Sequence, residues 1–193
     1  MSVNAVIFDL DGTITEPMLD FDLIRSEIGF DENGSVLERI SDMPAAERQK
    51  AQAVLERHEN YAAEHSKLNP GIKELLAWLR CRKIKTAVIT RNQRVNVLRV
   101  LSGNDLIFDA IFAREDGPAK PDPAGVLALC GQLSSAPGDT LVVGDYVFDL
   151  LSAKAAGAIP VLITTHKKHA DFQHLADFII DSAENLLEII DTL

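Results

Sequence analysis

Apolar residues along this chain gather into short unbroken runs rather than alternating rows. The runs fall at 3–8, 85–90, 107–113, 140–143 and 159–164, with a weaker one at 178–180. Continuous apolarity over such lengths marks strands buried on both faces, the condition of a parallel sheet covered by helices. Between the runs the apolar positions take up helical spacing. Within 71–82, Ile72, Leu75, Leu76 and Leu79 fall at i, i+3, i+4 and i+7. Further helices are predicted at about 92–102, 122–133, 148–157 and 182–191. Strands alternating with helices predict an α/β fold, an open, doubly wound parallel sheet with right-handed crossovers.

Residues 15–68 break that rhythm, with helical spacing and no convincing strand. Phe21, Ile24 and Ile28 share one helical face, and Val36, Ile40 and Met43 share another. Pro44 opens a long helix to about residue 65, with Ala51, Val54, Leu55, His58, Ala62 and His65 on one stripe. Both histidines are expected to be packed or interfacial there. Asn69-Pro70-Gly71 closes the segment with strong turn chemistry. The expected organisation is a Rossmann-like α/β domain from 1–14 and 69–193, with a small all-helical domain, 15–68, inserted after the first strand.

Composition narrows the class. With 47% apolar and 25% charged residues, the 193-residue chain can build a sizeable core, which excludes disordered, collagen-like and disulfide-scaffold proteins. The net charge of −10 argues against nucleic acid or an anionic membrane as the main partner. The insertion carries 6 basic and 12 acidic residues, hence −6 of that total. Cys81 and Cys130 show no metal-ligand or redox spacing and read as structural thiols. No apolar stretch approaches bilayer-spanning length, and the chain opens directly on a strand; a cytoplasmic protein is expected. A monomer and a homodimer both remain open.

Candidate chemistry lies at the strand ends, where open α/β sheets bind ligands. The first run ends Phe8-Asp9-Leu10-Asp11-Gly12-Thr13. Asp9 and Asp11, two apart on extended chain, can address one target, although an Asp-Gly turn alone has the same look. The other ends decide between these readings. The second run finishes at Thr90-Arg91-Asn92, the third is followed by Ala119-Lys120-Pro121-Asp122-Pro123, and the fourth leads into Gly144-Asp145-Tyr146-Val147-Phe148-Asp149. One sheet edge thus collects the carboxylates of Asp9, Asp11, Asp145 and Asp149, the Thr90 hydroxyl and the Lys120 ammonium. One lysine cannot balance four converging carboxylates. A hard divalent cation such as Mg²⁺ can, and it takes one or two carboxylates together with phosphate oxygens and water. Thr90 and Lys120 are the groups to hold a phosphoryl anion, with Asn92 a further candidate contact.

On these motifs, DLDGT at 9–13, Thr90, KPDP at 120–123 and GDYVFDLLSAKAAGA at 144–158, the whole chain resembles the haloacid dehalogenase superfamily. The likeness is to its phosphatase branch with a small helical cap, of the phosphoglycolate phosphatase kind. The resemblance implies that Asp9 is a nucleophile forming an aspartyl-phosphate and that Asp11 is the general acid and base. It assigns Mg²⁺ to the Asp9 and Asp145 carboxylates and the Asp11 carbonyl, with Asp149 close by, directly or through Lys120 or water. An Asp at position 11 argues against dehalogenase and phosphonatase activity. The implied substrate is a small phosphorylated metabolite; a β-phosphoglucomutase-type phosphomutase and a silent binding module on the same fold are the alternatives.

Overall fold

Ala5, Val6, Ile7 and Phe8 are all but wholly buried, so no face of this strand meets water. The computed structural model describes residues 2–30 and 34–193; Met1 and residues 31–33, which fall in the expected core and insertion, lie outside the described residues. Among the described residues the sheet has six parallel strands: β1 (Ala5–Phe8), β2 (Lys85–Ile89), β3 (Ala110–Phe112), β4 (Thr140–Gly144), β5 (Ile159–Ile163) and β6 (Phe178–Ile180). Their order is β3-β2-β1-β4-β5-β6. The chain winds outward from β1 through β2 and β3, then returns to the other side of β1. That reversal opens a crevice beyond the carboxyl end of β1. Register aligns Phe8 with Val88 on one side and Val143 on the other.

The third strand is shorter than its apolar run. Ile107 is 66% exposed, and the ladder starts only at Ala110, opposite Ala87. Asp109 explains the late start: its Oδ2 accepts from the Thr86 N–H at 2.9 Å, and its own N–H donates to Thr86 O at 2.8 Å. This double bond pins the entry of the strand and leaves the preceding residues outside.

The chain divides into two compact units, Met1–Pro17 with Ser66–Leu193, and Met18–His65. The second unit is helical: α1 (Phe21–Ile28), α2 (Val36–Ser41) and α3 (Ala45–His65). Asp20 caps α1 by accepting from the Asp22 and Leu23 N–H groups at 3.1 and 3.0 Å. Ile24, Val36, Ile40, Ala51 and Leu55 form its own core. The stripe on α3 is turned from the expected one: Ala51, Leu55, Glu59 and Ala62 are buried, whereas His65 is exposed. His58 is half-buried and bonds Glu27 through Nε2 at 3.0 Å. The expectation is therefore corrected for His65, whereas His58 joins α3 to α1 through Glu27. The i, i+4 row through Ala51 and Leu55 continues to Glu59, not to its neighbour.

The first unit adds α4 (Ile72–Cys81), α5 (Arg94–Gly103), α6 (Ala124–Leu133), α7 (Val147–Ala156), the single turn α8 (His169–Phe172) and α9 (Asn185–Thr192). Ala5 and Ile7 share a sheet face with Ala87, Ile89 and Val142, and the buried face of α6, Val126, Leu129 and Leu133, closes over it. Cys130 is buried in this layer and Cys81 is exposed; both are free thiols. Among the described residues no helix is long and apolar enough to cross a membrane.

Candidate active site

Three neighbouring strands deliver the polar groups. Asp9, Thr90 and Asp145 each follow the last residue of β1, β2 and β4. The Asp9 N–H donates to Val143 O and the Thr90 N–H to Phe112 O, each at 2.9 Å, so both backbones extend the ladder once more before turning away. Asp149 comes from the first turn of α7, and Lys120 from the loop before α6. All five side chains are buried.

Lys120 is the joint of the site. Its Nζ donates to Asp9 Oδ1 at 2.5 Å, to Asp149 Oδ1 at 2.5 Å and to Ile89 O at 3.1 Å. An ammonium has three N–H bonds, so these partners occupy all of them. The pairing with Asp149 agrees with the residue pattern. The bond to Asp9 goes beyond it, because the structure spends Lys120 on the protein's own carboxylates where the sequence suggests a phosphoryl contact. Arg91 holds the same loop: Nη1 donates to Lys120 O at 2.9 Å, and its guanidinium lies 4.6 Å from the centroid of the Phe148 ring.

Asp11 is half-buried, and its Oδ2 accepts from Asn92 Nδ2 at 3.1 Å. Asn92 is buried, and its Oδ1 accepts from the Gln93 N–H at 2.7 Å and from Asn96 Nδ2 at 3.0 Å. The amide expected to touch phosphate also supports Asp11, since Asn92 leads into α5, one turn before Asn96. The Asn92 N–H donates to Thr90 Oγ1 at 3.0 Å. A hydroxyl that accepts this bond keeps its own proton for another acceptor.

Two supports carry no motif signature. The Asn69 amide nitrogen faces the carbonyl oxygens of Gly12, Thr13 and Thr15 at 3.1, 2.8 and 3.0 Å. Thr165 Oγ1 donates to Gly12 O at 2.6 Å. Asn69 reads in the sequence only as turn punctuation. Thr165 lies just past β5, and the strand-end rule that finds Thr90 would have found it too. Beside them, Gly12 sits at φ +89°, and a Cβ on it would lie 2.2 Å from Asp145 Oδ2. A Cβ on Gly144 would lie 2.1 Å from Asp149 Cγ. At both places the absence of a side chain is what lets a carboxylate approach the backbone.

The electrostatics follow from burial. Asp9 is raised to about 7, chiefly by desolvation, opposed by Lys120 and reinforced by Asp149 and Asp11. Asp145 is raised well above the ordinary carboxylate value by burial and then by Asp9 and Asp149. Burial also raises Asp11, against the bond from Asn92 and the charges of Lys120 and Arg114. For Lys120, burial works toward the neutral amine, but Asp149 and Asp9 together win and hold it above the ordinary lysine value.

Carboxylate oxygens of Asp9, Asp145 and Asp149 lie within 4.8 Å of one another, all three residues buried. Ionised, they carry −3 against the +1 of Lys120, so −2 remains to be balanced in a desolvated place. Hard oxygen donors with that excess suit a small divalent cation, and the donor set fits the Mg²⁺ that the residue pattern suggests. The Asp11 carboxylate stands outside this group and bonds Asn92 instead.

Residues 24–163, well over half of the chain, match the family model described as haloacid dehalogenase-like hydrolase. The chain belongs to the haloacid dehalogenase-like hydrolases. Relatives within this family include a haloacid dehalogenase-like hydrolase domain-containing protein of Arabidopsis thaliana, 29% identical across 98% of this chain and 84% of the relative. A phosphoglycolate phosphatase of Haemophilus influenzae is 30% identical across 81% of this chain and 84% of its own. In three dimensions a hydrolase from Pseudomonas syringae superposes with a TM-score of 0.82 at 20% identity, covering 98% of this chain and 99% of that one. The doubly wound α/β architecture is thus that of the haloacid dehalogenase-like hydrolases.

Proposed function

We propose that this hydrolase is a Mg²⁺-dependent phosphatase of a small phosphomonoester, phosphoglycolate-like in size and charge, working in the cytoplasm through an aspartyl-phosphate on Asp9. In this reading residues 1–14 and 69–193 are the catalytic core and 15–68 a helical cap. The observation that carries it is the pairing of Asp9, held by Lys120, with Asp11, held by Asn92, two residues apart at the end of β1. The phosphoglycolate phosphatase relative supports the choice of substrate class.

Asp9 attacks phosphorus through a carboxylate oxygen while Lys120 fixes Oδ1. The bond from phosphorus to the ester oxygen breaks, and that oxygen takes the proton of the Asp11 carboxyl. Water then attacks the phosphoaspartate and gives a proton to the Asp11 carboxylate as the bond from phosphorus to Asp9 breaks. The Thr90 hydroxyl donates to a phosphoryl oxygen, since its acceptor side already serves Asn92. Asp9, Asp145 and the Asp11 carbonyl would hold Mg²⁺, with Asp149 nearby, and the bound ion would supply neutralisation of phosphoryl and carboxylate charge. Positioning and charge stabilisation are the main demands of phosphoryl transfer, and this arrangement serves both.

The test is phosphate release from a panel of phosphorylated metabolites with and without Mg²⁺. Wild type should release phosphate from some of them, EDTA should stop it, and Asp9→Asn should be inert. Equal release by wild type and Asp9→Asn would remove Asp9 as nucleophile, and activity indifferent to EDTA would remove the metal.

A further inference from the structure

Asn92, Asn96 and Arg99 fall at i, i+4 and i+7 along α5 and its lead-in, a polar row where helix packing would favour apolar residues. Asn96 is wholly buried and Asn92 nearly so. A buried amide left unpaired costs about 1–3 kcal/mol, so such a row persists only if its members satisfy one another. They do, in one direction. Arg99 Nη1 donates to Asn96 Oδ1 at 3.1 Å, Asn96 Nδ2 to Asn92 Oδ1 at 3.0 Å, and Asn92 Nδ2 to Asp11 Oδ2 at 3.1 Å.

The direction cannot reverse. A guanidinium has donors only, so it fixes the oxygen of Asn96 toward Arg99 and its NH₂ toward Asn92. The Gln93 N–H, another pure donor at 2.7 Å, fixes the oxygen of Asn92 in turn. What reaches Asp11 is therefore an N–H whose orientation is set two residues deep.

We propose that Asn92, locked by Asn96 and the Gln93 N–H, is the positioning residue that decides which Asp11 oxygen carries the proton to the leaving group. An N–H donor pairs with the unprotonated oxygen of a carboxylic acid. With Oδ2 so engaged, the proton sits on Oδ1, and Oδ1 delivers it to the ester oxygen as the bond to phosphorus breaks. The inference rests on the phosphatase reading above and adds to it the source of the acid's orientation.

Leaving-group dependence tests it. Values of kcat/KM, which report the step in which the leaving group departs, are compared for wild type and Asn92→Leu on p-nitrophenyl phosphate and on an alkyl phosphate. p-Nitrophenolate leaves with little help from an acid, whereas an alkoxide needs the proton. Asn92→Leu should lose roughly tenfold or more on the alkyl ester and only about threefold or less on the aryl one. Asn96→Leu should show the same selectivity with a smaller loss, which keeps the test open if Asn92→Leu folds poorly. Equal losses on both esters, in variants that melt as wild type does, would overturn the proposal while leaving the phosphatase reading intact. No phosphate release by wild type from any monoester would overturn that reading, and this inference with it.

Discussion

Lys120 Nζ lies 2.5 Å from Asp149 Oδ1, with both side chains buried. Lys120 is also the ammonium bonded to Asp9, so one cation serves two desolvated carboxylates. Removing one partner of such a buried pair typically costs about 3–5 kcal/mol, because the other charge stays behind uncompensated. Lys120→Met should lose stability on that scale in urea titrations with EDTA present, besides losing activity. A loss below about 1 kcal/mol, the worth of an exposed pair, would contradict this account.

Gly144→Ala introduces a methyl group where Asp149 already stands. The obstacle is a short side chain rooted in α7, and Tyr146 N–H holds its Oδ2 at 3.1 Å. Overpacking of this kind costs about 1–3 kcal/mol. The variant should melt at lower temperature and lose most of its phosphate release, whereas Gly138→Ala, with nothing within 4 Å of the new Cβ, should not suffer a clash. Urea titrations and phosphate release of the two variants side by side check this.

The metal-free protein should weaken as pH rises. Asp9 is raised from 3.8 to about 7 in the fold, so the folded state binds the proton more tightly than the unfolded one. The stability this brings is complete below about pH 4 and is lost as pH climbs through about 7. Asp11 and Asp145 shift in the same direction. In EDTA, the difference in unfolding free energy between wild type and Asp9→Asn should therefore move against wild type between pH 5 and pH 8. Mg²⁺ should restore wild type at pH 8. A difference flat across that range would remove Asp9 as its source.

Asn69→Asp tests the floor of the site. It keeps the shape of the side chain but turns an acceptor toward the three carbonyls that the amide nitrogen now faces. Leaving buried carbonyls unsatisfied costs about 1–3 kcal/mol. Asn69→Asp should be less stable than Asn69→Ala, which adds no repulsion, and urea titrations of both variants at neutral pH decide it.

How much was legible in the residues depended on whether a signal was local. Each strand run has a counterpart in the sheet, and in β1, β4 and β5 full burial leaves a continuous apolar signature. The reversal beside β1 then placed Asp9, Thr90 and Asp145 together. What escaped were bonds reaching across the chain. Asn69 and Gly12 are 57 residues apart, and Asn92 and Asp11 are 81. No periodicity announces such a pair. Glu59 escaped for a different reason: a charged residue on a buried row runs against the burial trend used to read helices.

Within the first unit, the two chain segments that flank residues 18–65 run side by side. Glu16 N–H donates to Lys67 O at 2.8 Å, and Asn69 N–H to Ile14 O at 2.9 Å. A segment that leaves and returns through one hydrogen-bonded doorway places no demand on its own length, because its ends are already joined where it departs. Closing a loop of twice the length costs only about 0.6 kcal/mol more. Residues 18–65 can therefore be exchanged for a longer or shorter insert without moving Asp9.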